Sequence, residues 1–372
     1  MSEKQQNTGL VTAFGRDVGD TFLLNLVKIL SSLSHKLYVL GPNTILRSSD
    51  TIHLHSVRSK RAEGTLAQVV NQIGFQLRMS YRLARLSRKV NLWIFFGGEG
   101  LLLPMLTAKL FRGKVALALA GYLEKESEFR KNVLYKPFSL LKRINCRLAD
   151  RIIIYSQRLI KEWQLERHTD KILIAHEHFL DFAKFRMQKP LSQRHSLLGY
   201  IGRLDPEKGI LNLLEAIPRV LEKDDDITFL IGGDGPLRPK VEECLKQAKP
   251  NSRASFVGWI AHDDMPKYLN KLKLFILPSY TEGISNIMLE AMACGTPVLA
   301  TPVGAIPDII KDEQTGFIME DNSPECLAAN IIRALNHPEL EQIADNGRAL
   351  VEKEFTYDKT VERYRKVLHS LT

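Results

Sequence analysis

Short apolar runs, most of them followed by a segment of helical period, recur along this chain. In the first half they are "TGLVTAF", "HKLYVLG", "NLWIFFGG", "KVALALAGY" and "DRIIIYS". Between the first two lies "TFLLNLVKILSSL", where Phe22, Leu26, Ile29 and Leu33 recur at helical spacing. Strands that are apolar throughout, separated by helices, predict parallel strands covered on both faces. The second half repeats the scheme with "SLLGYIGRL", "ITFLIGGDG", "ASFVGWI", "LKLFILPS" and "GTPVLATPVG". The polar stretch "RMQKPLSQRHS" interrupts the pattern between them. A chain of 372 residues is long for one core and suits two. The expectation is therefore two Rossmann-like, doubly wound α/β domains facing a cleft, residues 1–190 and 191–355. The last segment, 356–372, stands outside the second sheet's strand–helix order. In such sheets ligands sit beyond the carboxyl ends of the strands, so chemistry is to be sought in the loops there.

Charge separates the two halves. Residues 1–190 hold 31 Lys and Arg against 15 Asp and Glu, a net +16, and residues 191–372 hold 21 against 27, a net −6. A basic half suits nucleic acid, an anionic membrane or an acidic substrate; the chain shows no nucleic-acid recognition module, which ranks that partner last. The four cysteines form no C-x-x-C pair, as expected of buried free thiols in a reducing compartment. No apolar run approaches the roughly 20 residues that span a bilayer. With its polar start the chain is expected to be cytoplasmic.

Four loops hold candidate chemistry. In "GRLDPEKG", Gly202 ends a strand, and Arg203 and Lys208 flank a turn that leads into a helix. Two cations beside a helix N-terminus can hold an anion; an ordinary solvated turn has the same look, and both readings stand at this point. "LIGGDGPL" brings Gly232, Gly233 and Gly235 to the next strand end, and the first loop runs Gly15-Arg-Asp-Val-Gly19. Neither has the glycine spacing of a dinucleotide fingerprint, which counts against a dehydrogenase.

The fourth, "TEGISNIMLEAMACGTPVLAT", carries Glu282 and Glu290 eight positions apart, the first among turn residues and the second inside a helical run beginning near Ser285. Eight residues rise roughly 12 Å along a helix axis. Glycosidase carboxylate pairs stand about 5–9.5 Å apart, so these two are not expected to act on one bond. The amides of Ser285, Asn286 and Ile287 between them favour an anion. Carboxylate, anion site, carboxylate suits an elongated ligand with hydroxyls at both ends and phosphates between, such as a sugar nucleotide. A surface glutamate plus a capping glutamate is the plainer alternative.

Metal ligation has little support: the carboxylates of "KDDDIT" and "HDDM" suit solvated turns, and His176 and His178 of "AHEHF" belong to no carboxylate or cysteine constellation in sequence. Arg78, Arg82, Arg85 and Lys89 form one helical stripe beside the apolar stripe Met79, Leu83, Leu86 and Val90. Such a helix can lie on an anionic membrane, and it can equally be a solvated basic face over core.

Taken in order, "GRLDPEKG", "LIGGDGPL", "FVGW", "LPSYTEGISNIMLEAMACGTPVLATPVGAIPDII" and "TGFI" resemble the second domain of GT-B glycosyltransferases of family 4, closely over residues 195–320. The final "FTYDKTVERYRKVL" is also similar, whereas the first half matches only in layout. The resemblance implies a retaining, metal-independent transfer from a UDP- or GDP-sugar to a glycan or glycolipid acceptor, in polysaccharide or glycolipid synthesis at the inner membrane face. It implies that Arg203 and Lys208 bind the diphosphate, Glu282 contacts the donor sugar and Glu290 accepts from the ribose hydroxyls. It further places Gly19, Gly202 and the amides at Ser285, Asn286 and Ile287 near the donor. The last helix is expected to cross back to the first domain, and no cofactor beyond the co-substrate is expected. The chain departs from the family's pattern by having no histidine between His55 and His168, Val18-Gly19 in place of a double glycine, and Asp308 where glutamate is common. A sugar-nucleotide epimerase and a non-catalytic nucleotide-sugar sensor are the alternatives on this architecture.

Overall fold

The computed structural model describes residues 6–14, 20–42, 48–58, 64–119, 135–247 and 253–371. The chain divides into two compact units, residues 1–179 with 357–372, and residues 180–356.

In the first unit the order is β1 (Thr8–Thr12), α1 (Asp20–Leu33), β2 (Leu37–Gly41), β3 (Ile52–Ser56), α2 (Thr65–Leu86) and β4 (Leu92–Phe96). It continues with α3 (Leu102–Leu110), β5 (Lys114–Ala118), α4 (Tyr135–Leu148), β6 (Arg151–Ile154), α5 (Arg158–Glu162) and β7 (Ile172–Ile174). The strands form one parallel sheet in the order β3-β2-β1-β4-β5-β6-β7. β1, β2 and β4 are buried along their whole length, as strands covered on both faces must be. In β4 the two faces separate by alternation. Leu92, Ile94 and Phe96 join α1 in one core cluster. Trp93 points the other way, and Gly9 on β1 makes room for it: a Cβ there would lie 2.1 Å from the indole.

Right-handed crossovers put α2, α3 and α4 on the face opposite α1. Gln76 of α2 ties α2 to the start of α3, donating to Gly100 O (3.1 Å) and accepting from Leu103 N–H (3.0 Å). Met79, Leu83, Leu86 and Val90 are buried under this layer, so the apolar stripe read beside the arginines is core. The α1 face is closed by the chain's last helix, which brings Tyr364, Val367 and Leu368 into the same cluster.

The second unit holds β8 (Leu197–Ile201), α6 (Ile210–Leu221), β9 (Thr228–Gly232), α7 (Arg238–Gln247), β10 (Ala254–Gly258) and α8 (Met265–Leu269). Then come β11 (Leu274–Leu277), α9 (Asn286–Ala293), β12 (Val298–Ala300), α10 (Ile306–Ile309), β13 (Phe317–Ile318), α11 (Pro324–Leu335) and α12 (Leu340–Glu354). Its parallel sheet runs β10-β9-β8-β11-β12-β13. The last helix of the chain is α13 (Tyr357–His369).

The boundary lies about ten residues earlier than the polar stretch suggested. Residues 180–190 belong to the second unit: Leu180 N–H donates to Phe355 O, Lys184 pairs with Asp263, and Gln188 N–H donates to Asn270 Oδ1. The stretch breaks the apolar pattern because its polar atoms are used inward. Arg194 is buried and donates to the carbonyls of Lys189, Leu272 and Cys294 and to Thr296 Oγ1.

Candidate functional site

In the second sheet the chain proceeds from β8 outward through β9 to β10, then returns to start again at β11 on the other side of β8. The loops that leave β8 and β11 therefore part in opposite directions at a topological switch point, where open α/β sheets form a crevice. Both loops hold candidate residues.

The loop after β8 turns through a 3-10 segment, Pro206–Lys208, and enters α6 at Gly209, whose φ is +68°. A side chain there would be strained in this left-handed conformation, and its Cβ would lie 1.9 Å from Pro278 O. Glycine thus lets the two loops touch backbone to backbone. Tyr280 N–H donates to Glu207 O (2.9 Å), and Asn322 Nδ2 donates to Pro278 O (2.9 Å). Gly233, at the end of β9, does the same against Gly202 O.

This clasp brings Lys208 to Glu282. The ammonium lies 2.7 Å from Glu282 Oε1, and Ser279 Oγ donates to the same oxygen at 2.8 Å. From the far side the loop after β12 closes in: Gly304 (φ +59°) packs against Glu282 O, and Ala305 N–H donates to Gly283 O (3.0 Å). Arg203 is half exposed, and its guanidinium meets Asp205 and Glu207, with Glu207 fully buried. Tyr200, buried beneath, donates its hydroxyl to Arg203 O (2.7 Å); burial first, then the Glu282 charge, holds that phenol well above its usual range.

Ser285 stands at the N-cap of α9 with extended backbone, so Glu282 precedes the helix and Glu290 lies within it. Glu290 is buried and meets His262 Nε2 at 2.9 Å. Lys184 reaches the other imidazole nitrogen, Nδ1, at 2.9 Å and pairs with Asp263 at 2.8 Å. The two glutamates are thus held by different partners from different strand ends. Sequence reasoning set "HDDM" aside as a solvated turn and missed His262. The available signal was its position just past the carboxyl end of β10. It also passed over Asp205 and Glu207, which hold Arg203.

The geometry gathers Gly202, Arg203, Lys208 and Glu282 at the switch point, and joins Glu290 to His262 and Lys184. Gly19 lies outside the described residues. Both cations keep donors to spare: an ammonium has three N–H groups and a guanidinium five. Two cations and the open first turn of α9 can hold an anion where charge develops in a reaction. In the first unit, Glu177 is buried against Tyr155 Oη (2.9 Å), beside His176 and His178. Among the described residues no group of three or more His, Cys, Asp or Glu is gathered to hold a metal ion.

Residues 195–337 match the family "Glycosyl transferases group 1". An uncharacterised glycosyltransferase of Methanocaldococcus jannaschii, MJ1178, is 33% identical over 175 residues, 46% of this chain and 48% of its own. The capsular polysaccharide biosynthesis glycosyltransferase CapM of Staphylococcus aureus is 30% identical over 190 residues, 48% of this chain and 49% of its own. The chain thus spans about half the length of the curated relatives it matches. Among solved structures, Anabaena Alr3699/HepE in complex with UDP superposes with a TM-score of 0.78 at 16% identity, covering 98% of this chain and all of that one (100%). That likeness shows the fold, two parallel-sheet α/β domains of the GT-B type.

Proposed function

Because this chain carries a glycosyl transferases group 1 domain at residues 195–337 within a GT-B fold, we propose that it transfers a sugar from a nucleotide-diphosphate sugar to a glycan or glycolipid acceptor. The observation that carries the reading is the Lys208–Glu282 pair beside Arg203 at the switch point of the second sheet. A cation and a carboxylate clasped there match a ligand with a diphosphate next to a hydroxyl-rich ring. Arg203 and Lys208 hold the diphosphate with their remaining N–H groups, helped by the amides at Ser285, Asn286 and Ile287. Glu282 accepts from the sugar hydroxyls, and Glu290, kept in place by His262, accepts from the ribose. The UDP bound to the structurally similar Anabaena protein supports a nucleoside diphosphate as the common part of the ligand. The capsular role named for the Staphylococcus relative supports a glycan acceptor.

The reaction is a retaining transfer. The bond from the anomeric carbon to the diphosphate oxygen breaks while the bond to the acceptor oxygen forms on the same face. The acceptor's proton passes to the departing phosphate oxygen. Arg203 and Lys208 stabilise the charge that grows on that leaving group, which is the contribution a metal ion makes elsewhere, so the reaction needs none.

A thermal-shift screen across uridine, guanosine and adenosine diphosphate sugars identifies the donor, since specific binding raises apparent stability. With that donor, Glu282→Ala should lower turnover at least about a hundredfold with nucleoside diphosphate affinity little changed. Glu290→Ala should weaken nucleotide binding about tenfold to a hundredfold. Full turnover by Glu282→Ala would remove the role assignment. Donor conversion without an acceptor would identify an epimerase instead.

A further inference from the structure

The α2–α3–α4 layer of the first unit has an outer surface that the donor chemistry leaves unexplained. α2 is apolar on two sides. Phe75, Met79, Leu83 and Leu86 face the core. Leu66, Val70, Ile73, Leu77 and Tyr81 follow one another at four, three, four and four residues and are 49–78% exposed. Leu77 and Met79 differ by two positions, about 200° of helix rotation, so the second stripe points outward. It runs for fifteen residues, about 22 Å. The neighbouring helices continue it, with Leu106, Leu110 and Phe111 at α3 and Leu140 on α4 exposed by 43–79%. With Val69, ten of the fifteen exposed large apolar side chains among the described residues lie on this layer. An apolar concentration of this kind marks an interaction site.

The charged side chains on its three helices are all of one sign. α2, α3 and α4 contain not one Asp or Glu. Arg78 and Arg82 lie one position, about 100°, round α2 from Leu77 and Tyr81, Arg85 lies one turn beyond Tyr81, and Arg88 and Lys89 follow just past the helix end. Arg85 stacks on Tyr81 at 4.7 Å from the ring centroid. The unit as a whole carries 32 Lys and Arg against 16 Asp and Glu.

We propose that this face binds an anionic lipid bilayer surface, with Leu66, Val70, Ile73, Leu77 and Tyr81 entering the headgroup–acyl boundary and the arginines beside them meeting lipid phosphates. An apolar stripe bordered by long cationic side chains fits that boundary, because the aliphatic stems stay with the stripe while the charged ends reach phosphate. A second copy docked by a two-fold axis would set this basic face against itself, at a cost in like-charge repulsion. Single-stranded nucleic acid stacks on aromatic platforms, and this stripe is mainly Leu, Val and Ile.

The inference concerns the first unit alone, so it stands or falls separately from the donor reading. The test is flotation of the full chain with phosphatidylcholine vesicles, with and without a third of phosphatidylglycerol, at low and high salt. Wild type should bind the anionic vesicles at least about tenfold more tightly than the neutral ones, and less at high salt. Arg82→Gln/Arg85→Gln should lose about thirtyfold at low salt and much of the salt dependence. Ile73→Glu/Leu77→Glu should lose about a hundredfold. All of these positions are exposed, and unchanged melting and nucleotide-induced thermal shift will show that the variants fold. Free glycerol phosphate should not compete; if it did, the face would be a phosphate site. Equal binding to both vesicle types, absence of binding at low salt, or variants that bind like wild type would overturn the proposal. A concentration-dependent dimer lost in Ile73→Glu/Leu77→Glu, without vesicle binding, would assign the face to a second copy.

Discussion

Glu282 and Glu177 are both carboxylates just past the ends of parallel strands, yet their neighbours give them different properties. Glu282 is matched by the Lys208 ammonium. Glu177 is fully buried, accepts from the Tyr155 hydroxyl and is pushed by burial up to about 7. The adjacent His176 is kept neutral, because burial first and the His178 charge second hold its imidazole well below the usual value. The two act oppositely on stability. Between its ordinary value of 4.5 and about 7, Glu177 keeps its proton in the folded chain while the unfolded chain has released it. That contribution is complete below 4.5 and is lost as pH rises through about 7, by up to about 3 kcal/mol. His176 instead removes stability as pH falls below its ordinary 6.5. Glu177→Gln isolates the carboxyl. Its stability relative to wild type, read from amide hydrogen exchange in β7 and α13, should rise steadily from pH 4.5 to 7 and then level off. A difference that is constant across that window would contradict the assignment.

At the scale of elements, the site is two turns held against each other by glycine. Gly209→Ala would force a Cβ to within 1.9 Å of Pro278 O in a left-handed conformation, so the turn must move. The expected cost is at least about 2 kcal/mol of stability, with a more than tenfold loss of turnover as Lys208 leaves Glu282. Ser279→Ala, which removes one bond to Glu282 but leaves the clasp intact, should do much less; equal losses in both would show that the clasp is not what positions Lys208. The strands and the switch-point loops were legible because buried parallel strands are apolar without interruption and their exits need Gly, Pro or Asp. Ser285 at the start of α9 was legible for the same local reason. The His262–Glu290 contact was not: the place of His262 past a strand end marks it as a candidate, but its partner lies 28 residues away and only the folded sheet brings the two together. Nor could periodicity say which apolar stripe of α2 is core, since both sides of that helix are apolar and only the sheet chooses between them.

Over the whole molecule, the two units carry opposite charge, and each has its own sheet and core. The division was legible as a repeated strand–helix scheme, whereas its position was not, because residues 180–194 are polar in composition but bonded into the second unit. The central claim concerns that second unit: Lys208, with Arg203, holds the diphosphate of a nucleotide while Glu290 holds the ribose. The most direct test is isothermal titration of uridine and of uridine diphosphate, or of whichever nucleoside pair the donor screen selects, into wild type and Lys208→Met. If the claim is right, Lys208→Met weakens the diphosphate about tenfold to a hundredfold and leaves the nucleoside within about twofold of wild type. Equal weakening of both ligands, or of neither, would contradict it.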